Sequence, residues 1–270
     1  MNAPEFRSLD SAPALPDATS PSARGPLGQY LTTTRGLGYS ALFALPLALL
    51  YELGILLTTQ GDVRIGADVW IRRFLGMLGL GETWLLAGIF VAVAVVVVIL
   101  ERKRGVRFSA LYFGGMFVES VVYAVVSGAL VASFIEAVLP MQWPPRLQMT
   151  GGLAFSDQIV LSLGAGFYEE LVFRLILVSA LGGILWLVAR ALPGGEQRFG
   201  ARLRYMTAAL IGALIFSWVH YTGAYGDDFQ LGSFTFRFVM GLVLNGIFLW
   251  RGFGIAAMTH ALYDVVVTVA

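Results

Sequence analysis

Two adjacent carboxylates and an arginine stand inside an apolar run in the stretch Gly164-Ala165-Gly166-Phe167-Tyr168-Glu169-Glu170-Leu171-Val172-Phe173-Arg174. The run covers residues 153–192, and the two histidines of the chain, His220 and His260, lie in later apolar runs. A charged side chain at mid-bilayer costs roughly 2.5–3.5 kcal/mol on insertion scales, so such residues mark functional sites by default. An acid and two imidazoles held in lipid point to hydrolysis.

On an α-helix, Glu170 and Arg174 share a face and can form an ion pair that lowers the cost of burying both. Glu169 lies about 100° round from Glu170 and about 140° from Arg174, so the arginine cannot easily serve both. Glu169 is left as a carboxylate aimed elsewhere, suited to act as a general base. In Phe216-Ser217-Trp218-Val219-His220 the phenylalanine stands one turn before the histidine and packs beneath its ring. In His260-Ala261-Leu262-Tyr263-Asp264 the histidine and aspartate share a face. Asp264 either accepts the second ring proton of His260, fixing its tautomer, or faces a common centre with it.

Two chemistries fit this set. In one, Glu169 activates a water while His220 and His260 orient it and stabilise the oxyanion. In the other, His220, His260 and a carboxylate such as Asp264 hold a divalent metal such as zinc, with one position left open. No His-Glu-x-x-His occurs, so a zincin is not indicated. Plainer readings stand beside these. Glu170 with Arg174 is then a structural ion pair, and Glu169 a protonated acid bonded to a neighbouring helix. His220 sits at the interface, and His260 with Asp264 is an isolated pair. Glu52 and Glu119 also lie in apolar runs; they either pair with Arg237 or line the cavity, and a structural role is favoured. Asn245 reads as an interhelical hydrogen bond, and Tyr168 and Tyr263 as aromatic packing that can flank the site.

The elements that must position these residues are membrane helices. Of 270 residues, 57% are hydrophobic and 13% charged, whereas soluble domains run near about 25% charged. A net charge of +1 argues against a nucleic-acid partner. There is no cysteine, which removes disulfides, thiolate metal sites and a cysteine nucleophile together. Residues 1–35 carry five prolines among polar residues and are expected to be a disordered tail, without the pattern of a cleaved signal peptide. Spans are expected at 36–59, 83–100, 109–139, 153–192, 206–221, 233–250 and 253–270, with an interfacial helix or loop at 62–80. Pro140, Trp143, Pro144 and Pro145 form an interfacial loop. The segment 153–192, roughly 58 Å long if wholly helical, exceeds a hydrocarbon core of about 30 Å and crosses once or twice.

The fold expected is therefore an all-α polytopic transmembrane bundle of seven spans, or eight. The basic runs Glu101-Arg102-Lys103-Arg104 and Arg198 to Arg204 read as cytoplasmic, which puts the N-terminus inside when there are seven. Residues 36–152 form an N-terminal set of helices and 153–270 the catalytic core.

Glu-Glu-x-x-x-Arg, Phe-x-x-x-His and His-x-x-x-Asn/Asp, in that order on successive apolar segments, resemble the CPBP family. It comprises CAAX-processing type II prenyl endopeptidases and related Abi membrane proteases, and the resemblance covers 155–270. It implies that Glu169 is the catalytic base and that His220 and His260 line one cavity. Asp264 stands where the CAAX-processing enzymes commonly carry Asn, which weakens the inference to prenylated substrates. The function implied is an intramembrane endopeptidase acting on a membrane-associated protein or peptide, in a bacterial inner membrane. Competing readings are a proton-coupled transporter, against which stands the lack of an internal repeat, and a scaffold of the same fold without turnover.

Overall fold

Apolar runs with no water to satisfy their backbone can cross a bilayer only as helices or closed barrels. The computed structural model describes residues 25–58, 63–80, 84–139, 153–192, 200–223 and 226–269, and among these the regular structure is nine helices and no strand. In chain order they are α1 (Pro26–Thr34), α2 (Leu37–Thr58), α3 (Gly66–Met77), α4 (Leu85–Lys103), α5 (Ala110–Val138), α6 (Phe155–Ala191), α7 (Ala201–Val219), α8 (Leu231–Arg251) and α9 (Phe253–Val269). Six of them, α2 and α4 to α8, are long and apolar enough to cross a membrane, and α9 is apolar over 17 residues. The chain is a multi-pass membrane protein.

The central segment is one unbroken helix of 37 residues, so the eight-span alternative is set aside and seven apolar helices remain. At about 55 Å this helix outreaches the hydrocarbon core. Glu169 and Glu170 therefore lie near its middle rather than towards one end. α4 packs against α2, and its valines 91, 93, 95 and 96 face outward as lipid-facing residues do.

One end of the bundle gathers the starts of α2, α5 and α9 with the ends of α4 and α8. Tyr39 Oη donates to the Arg107 carbonyl at 2.9 Å, and Arg35 donates to that of Leu249 at 2.9 Å. A Cβ on Gly254 would meet the Ser40 backbone at 2.8 Å, so α2 and α9 touch almost backbone to backbone. This shared level is what an alternating chain with basic loops on one side requires.

The expectation of a disordered tail through residue 35 is corrected at its end. Pro26 opens α1, a helix whose first turn tolerates proline because its N–H would be unbonded anyway. Residues 1–24, the loop with Pro140, Trp143, Pro144 and Pro145, and Arg198 lie outside the described residues.

Neither Glu52 nor Glu119 pairs with Arg237, contrary to one sequence reading. Glu52 takes Arg72 at 2.5 Å and Arg64 at 3.5 Å, both from the 62–80 stretch, which is α3 and its approach. Asp68 pairs with the same two arginines at 2.7 and 2.9 Å, and Tyr168 Oη donates to Glu52 at 2.5 Å. Glu119 holds Arg251 at 2.5 Å and accepts from Tyr30 and Tyr123 at 2.7 and 2.8 Å. A charge inside the bundle persists only when paired, and these clusters fasten α3 to α2 and α1 to α5 and α8. Asn245 donates to the Ala209 carbonyl at 2.7 Å, the interhelical bond expected of it.

Candidate active site

Over Ala165–Val178 the hydrogen bonding of α6 loosens from i→i+4 to i→i+5. Such π stretches concentrate at functional sites, because a wider turn re-aims side chains that an α-helix would fan apart. Arg174 stands five residues after Glu169 and four after Glu170, so a turn of this kind brings both acids round towards it. The Arg174 Nη1 lies 3.0 Å from Glu170 Oε1, and both side chains are essentially fully buried. The guanidinium also lies over the Phe216 ring, 4.2 Å from its centroid, a desolvated cation–π contact.

Gly166 sets how close α6 comes to α9. A Cβ there would fall 2.5 Å from Ala261 Cβ, 2.6 Å from Ala261 N and 2.7 Å from the Ala257 carbonyl oxygen. Only a glycine allows that approach, which sets Glu170, one turn on along α6, against His260, the neighbour of Ala261 on α9. His260 Nδ1 donates to Glu170 Oε1 at 2.7 Å. Because the acceptor is a carboxylate, Nδ1 carries a proton and Nε2 is the nitrogen left for other work. Nε2 faces two further acids, Asp264 Oδ2 at 3.5 Å and Glu169 Oε2 at 4.0 Å.

This corrects two readings made from helical spacing. The second ring proton of His260 goes to Glu170 and not to Asp264, which faces Nε2 instead. Glu170 is consequently more than a counter-ion, for the same oxygen serves Arg174 and His260. No local pattern signals this, since the two partners are 90 residues apart. Glu169 is the more open of the two acids, with 16% of its side chain exposed against none for Glu170.

His220 caps the C-terminal end of α7 and reaches the cluster through Phe216. Its Nδ1 donates to the Phe216 carbonyl at 2.8 Å, which leaves Nε2 as the ring's acceptor. The Phe216 ring stands edge-on to both imidazoles, with centroids 5.1 Å from His220 and 6.3 Å from His260. Phe173 of α6 closes on the same ring at 5.1 Å. Tyr263 stacks on Phe236 at 5.9 Å, and Tyr168 packs edge-on to Tyr51 at 5.2 Å, so both act first in packing.

The structure thus brings Glu169, Glu170, Arg174, His260 and Asp264 into one cluster and sets His220 on a ring shared with His260. Among the described residues no group of three or more His, Asp and Glu side chains is arranged to hold a metal ion. The donor set His220, His260 and Asp264 forms no such group, although the Nδ1 bond to Glu170 leaves His260 Nε2 free. A cleft of about 480 Å³ lies elsewhere, between Arg35, Ser40, Ser179, Tyr205 and Phe253, and none of the candidate residues lines it.

Residues 152–266 match the family model described as type II CAAX prenyl endopeptidase Rce1-like, a stretch that takes in every residue of the cluster. Comparison with curated proteins gave no match, and comparison with solved structures gave none.

Proposed function

We propose, from the premise that residues 152–266 carry an Rce1-like endopeptidase domain within a membrane protease, that Glu169 is the base of a metal-independent peptide hydrolysis. The observation that supports it best is the separation of Glu169 Oε2 from His260 Nε2. At 4.0 Å it is too long for a direct hydrogen bond and suits two groups that hold one water between them. Glu169 takes a proton from that water as its oxygen attacks the scissile carbonyl. The Nε2 edge of His260 orients the water, and its ring is held by the Nδ1–H bond to the buried Glu170. His220, with its Nδ1–H spent on the Phe216 carbonyl, presents Nε2 to the substrate as a hydrogen-bond acceptor for a peptide N–H. Glu169 then returns its proton to the leaving amine. Asp264, 3.5 Å from His260 Nε2, supports the imidazole through the reaction.

The substrate is a membrane-associated protein or peptide, reached from the bilayer in which the domain sits. The test is cleavage of a fluorogenic membrane peptide by purified protein in lipid nanodiscs, comparing wild type with Glu169→Gln. Loss of a general base lowers kcat by about 10²–10⁴-fold. Equal rates would remove Glu169 from this role. Repetition with a chelator reads metal dependence: an undiminished rate is the expected outcome.

A further inference from the structure

Two donors beside His220 have no work in the scheme above. The Tyr221 hydroxyl and Nη1 of Arg237 are both buried, and neither has a hydrogen-bond partner among the described residues. They are neighbours, for the Arg237 guanidinium carbon lies 5.4 Å from the Tyr221 ring centroid. A buried donor left unbonded costs about 1–3 kcal/mol, and a charged one more, so a pair of them calls for a partner.

The guanidinium is also firmly aimed. Its Nη2 is held by Asp227 at 2.6 Å, and the Asp227 backbone N–H donates to the His220 carbonyl at 2.8 Å. The segment that follows His220 therefore fixes the guanidinium and leaves Nη1 over. Tyr221 is steadied in turn by Phe229 and Phe234, at 5.2 and 6.1 Å. On α8 the preceding residue, Phe236, stacks on Tyr263, one residue before Asp264. One guanidinium N–H and one phenol O–H, on side chains in contact, can serve the two oxygens of a carboxylate.

We propose that Arg237 and Tyr221 form a subsite for a carboxylate of the peptide substrate, beside the bond that is cut. This rests on the endopeptidase reading. The carboxylate comes either from the chain end of the substrate or from an Asp or Glu side chain near the scissile bond.

The test uses the full chain in nanodiscs and one peptide made in three forms: free acid, C-terminal amide, and free acid with its Asp and Glu replaced by Asn and Gln. A charge-assisted pair of bonds gives the preferred anion about a 10- to 100-fold higher kcat/KM, chiefly through KM. Discrimination against the amide assigns the chain end, and discrimination against the Asn/Gln form assigns a side chain. Arg237→Gln and Tyr221→Phe each shrink that ratio towards one, while Arg237→Lys keeps part of it as a point charge. A wild-type ratio of one in both comparisons overturns the subsite. So does an Arg237→Gln protein with the wild-type ratio at lower overall rate, which a purely structural role would produce.

Equilibrium binding of the same peptides to Glu169→Gln protein separates the two readings. Anion-selective binding without wild-type cleavage sinks the hydrolytic scheme and keeps the subsite. Cleavage with neither selective binding nor selective turnover does the reverse.

Discussion

Glu170 Oε1 lies 2.7 Å from His260 Nδ1 and 3.0 Å from Arg174 Nη1, so one buried oxygen balances a guanidinium and orients an imidazole. Removing one partner of a buried pair strands the other, at about 3–5 kcal/mol, whereas removing both costs much less. Glu170→Gln and Arg174→Met are each expected to lower unfolding stability on that scale, and the double variant to recover a large share. A double-mutant cycle of unfolding in detergent checks this, and additive losses would show the two side chains to be uncoupled. Glu169→Gln is expected to behave in the opposite way, losing activity with little change in stability. Among the described residues its close ionic neighbour is His260, 4.0 Å away, and its side chain is partly open. Spacing made His260 and Asp264 legible as neighbours, being four apart on one helix. It also singled out Glu169, because the arginine was claimed by Glu170. The Glu170–His260 bond was not legible, since it depends on how two distant helices cross.

Helix α6 does the positioning. Its i→i+5 stretch re-aims Glu169 and Glu170, and Gly166 lets α9 approach to backbone distance. Gly166→Ala puts a methyl group 2.6 Å from Ala261 N and 2.7 Å from the Ala257 carbonyl, and backbone cannot move aside cheaply. The variant is expected to lose about 1–3 kcal/mol of stability, the usual cost of overpacking. Its kcat should fall sharply because the Glu170–His260 bond lengthens. Gly183→Ala, on the same helix with open space where its Cβ would lie, is the control and should leave both nearly unchanged. Gly164 and Gly166 both stand at close approaches, the first to the Tyr51 ring and the second to Ala261. The wider winding left no mark in the sequence, because a π stretch carries the same apolar composition as the α-helix around it. α1 was missed for a different reason. Pro26 at the first helical turn was its one signal, and the polar, proline-rich residues before it masked that signal.

Across the whole molecule, seven apolar helices put the basic stretch 101–107, the start of α2 and the end of α8 at one level. The positive-inside rule predicts that this end faces the cytoplasm and the loop carrying Asp227 and Asp228 the other side. The chain has no cysteine, so single-cysteine variants report topology without background. A cysteine at Gly105 is expected to react with a membrane-impermeant maleimide only after the cells are opened, and one at Asp228 in intact cells. The reverse pattern would invert the orientation, and the same side for both would contradict the odd number of crossings between them. The ion clusters at Glu52 and Glu119 act at this scale as well, fastening α3 and α1 to the bundle, and Tyr168 ties the Glu52 cluster to α6.

Composition and the length of apolar runs determined the helical, membrane-crossing character of this protein, because lipid leaves the backbone no other way to bond itself. The order and spacing of a few ionisable residues further limited the chemistry to an acid and two imidazoles. What only the tertiary structure decided is which oxygen each imidazole nitrogen faces, which arginine neutralises which acid, and which buried donors are left over. Those facts depend on helix crossing, winding and depth, and these are set by contacts between residues far apart in the chain rather than by any pattern within one segment.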